Sequence, residues 1–279
     1  MHFIKKTAIL PLMLGLSAAI VYPAPAQDMP IMAEDMQKMD SEMTEQTSQI
    51  WADILSRYLA AHEGLNTFDY AGLHANAADM QALADYIDNL AAQSPSDMGA
   101  QESMAYWANL YNALTVRIVA QNYPVGSIRD IKSGLFSIGP WKKKLVTVEG
   151  KDLTLDNIED DIMRPAYKTP MVHYMVNCAS IGCPNLKPTP WAAKTLEADQ
   201  IAAAKAFINS SRGVSIDKKG RVKVSSIYKW FKEDFDSTEA GVLAHLSEYA
   251  DADLKAALAA RGEIDKYDYN WRLNAPVTK

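Results

Sequence analysis

Two cysteines, Cys178 and Cys183, stand five positions apart in "HYMVNCASIGCP", residues 173–184, with His173 heading the segment. A sulfur pair at this spacing has three chemistries open to it. A turn through Ser180-Ile181-Gly182 could bring the two Cα atoms within the ~7 Å that a disulfide requires. Closing so short a loop removes little chain entropy, so the bridge would shape the loop more than stabilise the chain. A zinc site would need more ligands, and Cys-x4-Cys with one upstream histidine lacks the usual structural zinc spacing. His62, His74 and His245 lie far along the chain. The third chemistry is a nucleophilic thiol with a histidine base. In a continuous strand, residues 173 and 178 would lie roughly 16 Å apart on opposite faces. In a helix they would diverge by about 140°. A His173–Cys178 contact therefore requires a sharp bend after Val176, with Asn177 as a candidate pivot. The competing role for a histidine in so apolar a stretch is that of a satisfied core residue.

The elements that must position this segment can be read from periodicity. Ile50, Trp51, Ile54, Leu55, Tyr58 and Leu59 predict an amphipathic helix ending near Gly64. A second helix is predicted over 79–92, and a third over 100–122, stopped by Pro124. On the third, Asn109 and Asn112 share a face, and buried asparagines usually serve the backbone of neighbouring segments. "KKKLVTV" and "KDLTL" about Glu149-Gly150 read as a β-hairpin, with Lys142, Lys143 and Lys144 as solvated edge charges or, alternatively, an anion-recognising rim. Asp156 reads as a helix N-cap with Glu159 at the third helical position, and "MVHYMV", 171–176, as a buried strand. A helix over 195–208, a hairpin about 217–220, short helices over 227–235 and 238–249 and the aromatic tail "YDYNWRLN" complete the chain. The tail reads as core-sealing rather than ligand-binding. Helices in front, with hairpins and helices behind, predict an α+β fold in which N-terminal helices pack on a small antiparallel sheet.

Composition and charge narrow the function classes. His2, Lys5 and Lys6, an apolar run over 8–21 and Ala24-Pro25-Ala26 read as an export signal cut after Ala26. Its loss removes Lys5 and Lys6 and no acid, moving the formal charge from −6 to −8. Such a chain is a poor counterion-release partner for nucleic acid, and no segment has the ~20 apolar residues of a membrane span. The predicted location is periplasmic or secreted, where disulfides persist. Residues 27–48 form an acidic linker or weak helix, in which Met29, Met32, Met36, Met39 and Met43 would share one helical stripe. That stripe is either apolar filler or a soft-metal ligand set. Residues 49–279 read as one domain. No Gly-rich phosphate loop is present, and no cofactor is expected.

"YWANLYNALTVRIV", "YPVGSIRDI", "PWKKKLVTV", "LTLDNIEDDI" and "HYMVNCASIGCP", with "YKWFKEDF" and the closing "YDYNWRLN", resemble the bacterial domain of unknown function 547 over about residues 49–274. That family is similar in turn to papain-like and transglutaminase-like thiol enzymes. The resemblance implies Cys178 as nucleophile, His173 as its base and Glu159 as the carboxylate orienting the imidazole. It also implies Asn177 and the backbone after Cys178 as oxyanion-hole candidates, with Cys183 as a partner, a resolving thiol or the nucleophile itself. The activity expected on this basis is an exported thiol hydrolase or acyltransferase on an amide, thioester or thiol-peptide substrate. The alternative is a non-catalytic binding module in which Cys178–Cys183 is an inert bridge.

Overall fold

Helix α1 (Met29–Tyr58) buries Trp51, Ile54, Leu55 and Tyr58, the i, i+3, i+4, i+7 stripe that its sequence marks. The computed structural model describes the backbone of residues 29–276 except 133, 135 and 136, and the side chains of residue 38 and of 45–276 with the same gaps. The segment read as an export signal and the side chains of the methionine stripe lie outside the described residues. The chain divides into two compact units, residues 1–42 and 43–279. Of the first, the helical backbone from residue 29 is described.

The first correction falls at the end of α1. The helix stops at Tyr58 rather than near Gly64, and β1 (Leu59–His62) turns back onto β2 (Leu65–Phe68). Glu63 and Gly64, both at positive φ (49° and 80°), make the tight connection, the geometry that matches hairpin twist. α2 (Tyr70–Ala75) and α3 (Ala77–Ala91) follow, the latter capped by Asn76, whose side chain accepts from Asp79 N–H. α4 (Ala100–Gln121) is buried on nearly every face from Met104 to Ala120. A helix buried all round belongs in the middle of a core, and α4 packs against α2 and α3.

β3 (Val146–Val148) and β4 (Lys151–Leu153) form the predicted hairpin at Glu149-Gly150. The next segment differs from its expectation in a way that matters for the site. Residues Asn157–Met163 form a π-helical turn, with Arg164 N–H bonded to Glu159 C=O, five residues back. It continues into α5 (Arg164–Tyr167). Thr154, not Asp156, caps the segment: Thr154 N–H donates to Asn157 Oδ1 and Asn157 N–H to Thr154 Oγ1. Asp156 sits in the first turn with no capping bond, so neither it nor Glu159 is occupied with the helix end.

"MVHYMV" is not a strand. Val172–Met175 form a helical turn, α6, followed by extended backbone at Val176 (φ −100°, ψ 138°). A short apolar run carries no periodicity that separates strand from buried helix. α6 lies between two hydrophobic cores: Val172 and Met175 belong to the one around α4, and Tyr174 to the other. The second core is built from α7 (Leu196–Ile208), β5 (Val214–Ile216), β6 (Val222–Ser225), α8 (Ile227–Trp230), α9 (Glu239–Tyr249) and α10 (Ala252–Arg261). β7 (Lys266–Asp268) pairs with β6 in parallel and β5 pairs with β6 antiparallel. The fold is α+β. Among the described residues, its strands are spread over two hairpins and one mixed three-stranded sheet, not gathered in a single antiparallel sheet.

Candidate functional site

The cysteine loop is held from three sides. Asn112 on α4 receives Asn177 N–H through Oδ1 (2.8 Å) and donates to Met175 C=O (2.8 Å). One turn earlier, Asn109 makes the same two-bond clasp on Trp191. Both asparagines thus serve the backbone of neighbouring segments. Asn177 is buried, accepts Ala179 N–H and donates its amide to Pro184 C=O (2.7 Å). Its side chain is spent on holding the loop rather than pointing at an oxyanion. The pivot is Ala179, at φ +59°, a conformation an L-residue takes only when its surroundings over-determine it. From the third side, Ile181 and Gly182 N–H donate to Arg272 and Asn270 C=O, and Asn274 N–H donates to Ala179 C=O.

Within the loop, Cys178 and Cys183 are joined as a disulfide with Cα atoms 6.3 Å apart. Cys178 is partly exposed, whereas Cys183 is 4% exposed. The phenol of Tyr269 lies 3.1 Å from Cys178 Sγ, 3.0 Å from Cys183 Sγ and 2.8 Å from Ser180 Oγ. Burial raises the Tyr269 pKa well above its ordinary value, so at neutral pH this phenol can donate to sulfur.

Cys178 lines a cavity of about 210 Å³ together with His173 and Glu159. The rest of the wall is mostly aromatic, chiefly Trp141, Trp230, Trp271 and Tyr269, with Asp156 and Asp160 on the acidic side. The helix-to-extended change at Val176 is the bend that brings positions 173 and 178 to one wall. The three residues implied by the thiol-enzyme resemblance therefore share a cavity, but their pairings differ from those implied. Glu159 Oε1 is 3.7 Å from His173 Nδ1, an ion-pair separation longer than a hydrogen bond. Asp234 Oδ2 takes the other nitrogen, Nε2, at 2.7 Å. Cys178 Sγ is bonded to Cys183 and approached by Ser180 and Tyr269.

Asp234 was not singled out in the sequence. It sits in "KWFKEDF", 61 residues beyond His173, and the acidic-aromatic character of that stretch is its one signal. Arg164 fixes it, donating from Nε to Asp234 Oδ2 (2.6 Å) and from Nη2 to Oδ1 (3.3 Å), while also bonding Asp160 (2.9 Å) and Glu233. The His173 ring stacks on Phe231 at 4.3 Å, and Arg164 covers Phe231 at 4.9 Å.

Burial works against charge on His173, yet its hydrogen bond to Asp234 and the neighbouring Glu159 outweigh it and raise its pKa. Burial likewise pushes Asp234 up, but the bonds from His173 and Arg164 win and hold its carboxyl at about 2. Asp156 and Asp160 go the other way. Both are raised, first by burial and then by like charge: Asp160 and Glu159 act on Asp156, and Glu159 and Asp161 on Asp160. Asp160 has Arg164 as a compensating partner, whereas Asp156 has only the field of the exposed Lys142. Lys144 pairs with Asp152 at 3.0 Å. Among the described residues, no group of three or more His, Cys, Asp or Glu side chains is arranged to hold a metal ion.

Fold and cavity together define an α+β protein with a disulfide and a buried, carboxylate-flanked imidazole on the wall of one aromatic pocket. Residues 95–208 match the model of the family described as protein of unknown function, DUF547, which supports that family for this chain. The matched stretch carries Glu159, His173, Asn177 and both cysteines, while Asp234, Tyr269 and Trp271 lie beyond it. No curated protein and no solved structure matches the chain. No helix among the described residues is long and apolar enough to cross a membrane.

Proposed function

We propose that this cavity is the active centre of an exported thiol hydrolase or acyltransferase of papain-like or transglutaminase-like type, held here in its oxidised, resting form. The observation that carries the reading is the sharing of one cavity by Cys178, Glu159 and a His173 whose Nε2 is anchored on Asp234. That anchor leaves Nδ1 as the working nitrogen, and it makes Asp234 the orienting carboxylate in place of Glu159. In the oxidised form there is no thiolate to pair with the imidazolium, and Glu159 supplies the negative charge at Nδ1. A dithiol reductant delivers two electrons and two protons, opening the Cys178–Cys183 bond and becoming a disulfide itself. Cys178 then ionises beside His173, because an adjacent imidazolium favours thiolate. The thiolate adds to the carbonyl carbon of an amide or thioester, and the leaving amine or thiol takes its proton from His173. Water or another nucleophile, deprotonated by His173, attacks the S-acyl carbon and releases Cys178. The part-exposed Cys178 is the attacking sulfur and the buried Cys183 the one that re-forms the bridge. The substrate is a small molecule or peptide.

A second reading, a non-catalytic binding module, has one observation in its favour: both nitrogens of His173 face carboxylates while Cys178 Sγ is bonded to Cys183. Alkylation decides between them. After mild dithiothreitol treatment, Cys178 should react with iodoacetamide well below pH 8, at least tenfold faster than in His173→Ala. The reduced wild type should then turn over a chromogenic thioester, and Cys178→Ala should not. A bridge that resists reduction, or a freed Cys178 that titrates near the ordinary ~8.5 of a cysteine whether or not His173 is present, leaves only the binding module.

A further inference from the structure

We infer that the cavity recognises an organic ammonium group, which names the substrate class of the site proposed above. This inference rests on that reading only for the chemistry that follows binding. It starts from what the walls offer. Four aromatic rings, Trp141, Trp230, Trp271 and Tyr269, line the cavity and pack on one another: Trp230 on Tyr269 at 4.8 Å, Trp230 on Trp271 at 5.5 Å and Trp141 edge-on to Trp271 at 5.7 Å. A ring face attracts a cation through its quadrupole, tryptophan most strongly, and the attraction grows where water is thin. The protein already uses this chemistry at the rim of the cluster, with the Arg129 guanidinium 5.2 Å from the Trp271 ring centre. Trp230 is 47% exposed. An indole left so open beside a cavity stands at the entrance.

Charge then selects the sign of the guest. Among the described residues, three carboxylates, Asp156, Glu159 and Asp160, line the cavity against one imidazole, and no lysine or arginine is in the lining. Two of the three are accounted for: Glu159 faces His173, and Asp160 is bonded by Arg164. Asp156 is left. Its side chain caps no helix and receives no hydrogen bond among the described residues, while its backbone N–H donates to Trp141 C=O at 3.1 Å. The unmatched carboxylate and the indole are thereby fixed to the same wall. A divalent ion would need several ligands converging on one point, and no such group is found among the described residues. An anion would meet the carboxylates. A neutral apolar guest would bury Asp156 without compensation, which is costly. An alkylammonium satisfies both features at once, with N–H to Asp156 and alkyl and charge against the rings.

The test titrates n-butylammonium chloride into the oxidised full-length chain, with the disulfide intact, and follows tryptophan fluorescence. n-Butanol and sodium butyrate serve as the neutral and anionic counterparts, with sodium chloride keeping ionic strength constant. The expected result is a saturable change with the ammonium alone, weakened at least tenfold in Asp156→Asn and again in Trp230→Ala. Asp156→Asn removes like-charge crowding and should fold at least as well as wild type, which a thermal melt checks. Butanol or butyrate binding as tightly as butylammonium, or an unchanged affinity in Asp156→Asn, overturns the inference. The double variant Cys178→Ala/Cys183→Ala separates this reading from the thiol chemistry. Retained ammonium binding there supports recognition even if no thiol activity is found. A reactive Cys178 in a protein that ignores the ammonium sinks recognition alone.

Discussion

Two imidazoles meet at α6, His173 buried and His245 half-buried, and their environments are opposites. His173 belongs to α6 itself, stacks on Phe231 and has a carboxylate at each nitrogen. His245, on α9, stacks on Tyr174 of the same short helix with rings 13° from parallel, and its Nε2 meets Tyr174 Oη at 2.8 Å. Burial lowers the His245 pKa to about 4, so that ring stays neutral. The pKa of His173 is raised despite deeper burial. Adjacent positions on one helical turn therefore present to the cavity an imidazole whose charged form is favoured and secure a neutral one in the second core. Burial by itself does not mark a site; two carboxylates and an arginine brace do.

The sharpest way to break this contrast is to remove each ring. His173→Ala should lower the alkylation rate of reduced Cys178 by at least tenfold at pH 7, whereas His245→Phe should leave it within twofold. The stability effects should be ranked the same way. Removing His173 strands Glu159 in a partly dry site and leaves Asp234 with Arg164 alone, and should cost about 3 kcal/mol in urea unfolding. His245→Phe keeps the stacking and loses one hydrogen bond, about 1 kcal/mol.

The pH dependence should sharpen the comparison, because the two rings give slopes of opposite sign. For His173, with a folded pKa above the unfolded ~6.5, the stabilisation is complete below ~6.5 and is lost as pH rises through the raised value. For His245, with a folded pKa of about 4, the stabilisation is complete above ~6.5 and is lost as pH falls towards 4. Stability against pH should thus peak near 6.5. His173→Gln should flatten the alkaline side, and His245→Phe should soften the acid side. Below pH 4 a further loss should come from Asp234, whose stabilisation is present above ~3.9 and disappears towards its folded value of about 2. The smallest effect expected is a shallower acid limb in Asp234→Asn below pH 4. A peak that stays put in both histidine variants would refute the contrast.

What could be read in the sequence follows from how local the controlling physics is. The stripes on α1, α3 and α4 declare themselves through periodicity. The backbone-clasping roles of Asn109 and Asn112 follow from a polar amide on a buried face. Two Glu-Gly pairs show the limit. Glu149-Gly150 lies between alternating strands and reads as the turn it is, whereas Glu63-Gly64 follows a helical stripe and reads as a helix terminus, though both adopt the same paired positive-φ geometry. The sequence also misleads at α6, because a six-residue apolar run buried between two cores has no exposed face to set its period. In the site, Cys178, Cys183, His173 and Glu159 lie within one legible block. Asp234, Tyr269 and Trp271 come from distant segments and are brought in by the packing of the second core and by the pairing of β7 with β6. No local pattern announces a partner that arrives through tertiary contact.

The position of Tyr269 has a consequence for the order of assembly. It follows Cys178 by 91 residues, while the two cysteines are separated by only 5. Tyr269 follows Cys183 by 86 residues, so at roughly 5–20 residues per second of synthesis the complete sulfur pair precedes its phenol by about 4–17 s. During that interval the loop can close on itself or meet a foreign thiol on any side. Once residues 266–274 have docked, Cys183 is covered and Cys178 is met through the cavity. The chain's last-made aromatic segment thus separates an early period, when the sulfurs are open to any redox partner, from a later one in which only a guest small enough for the pocket can reach them.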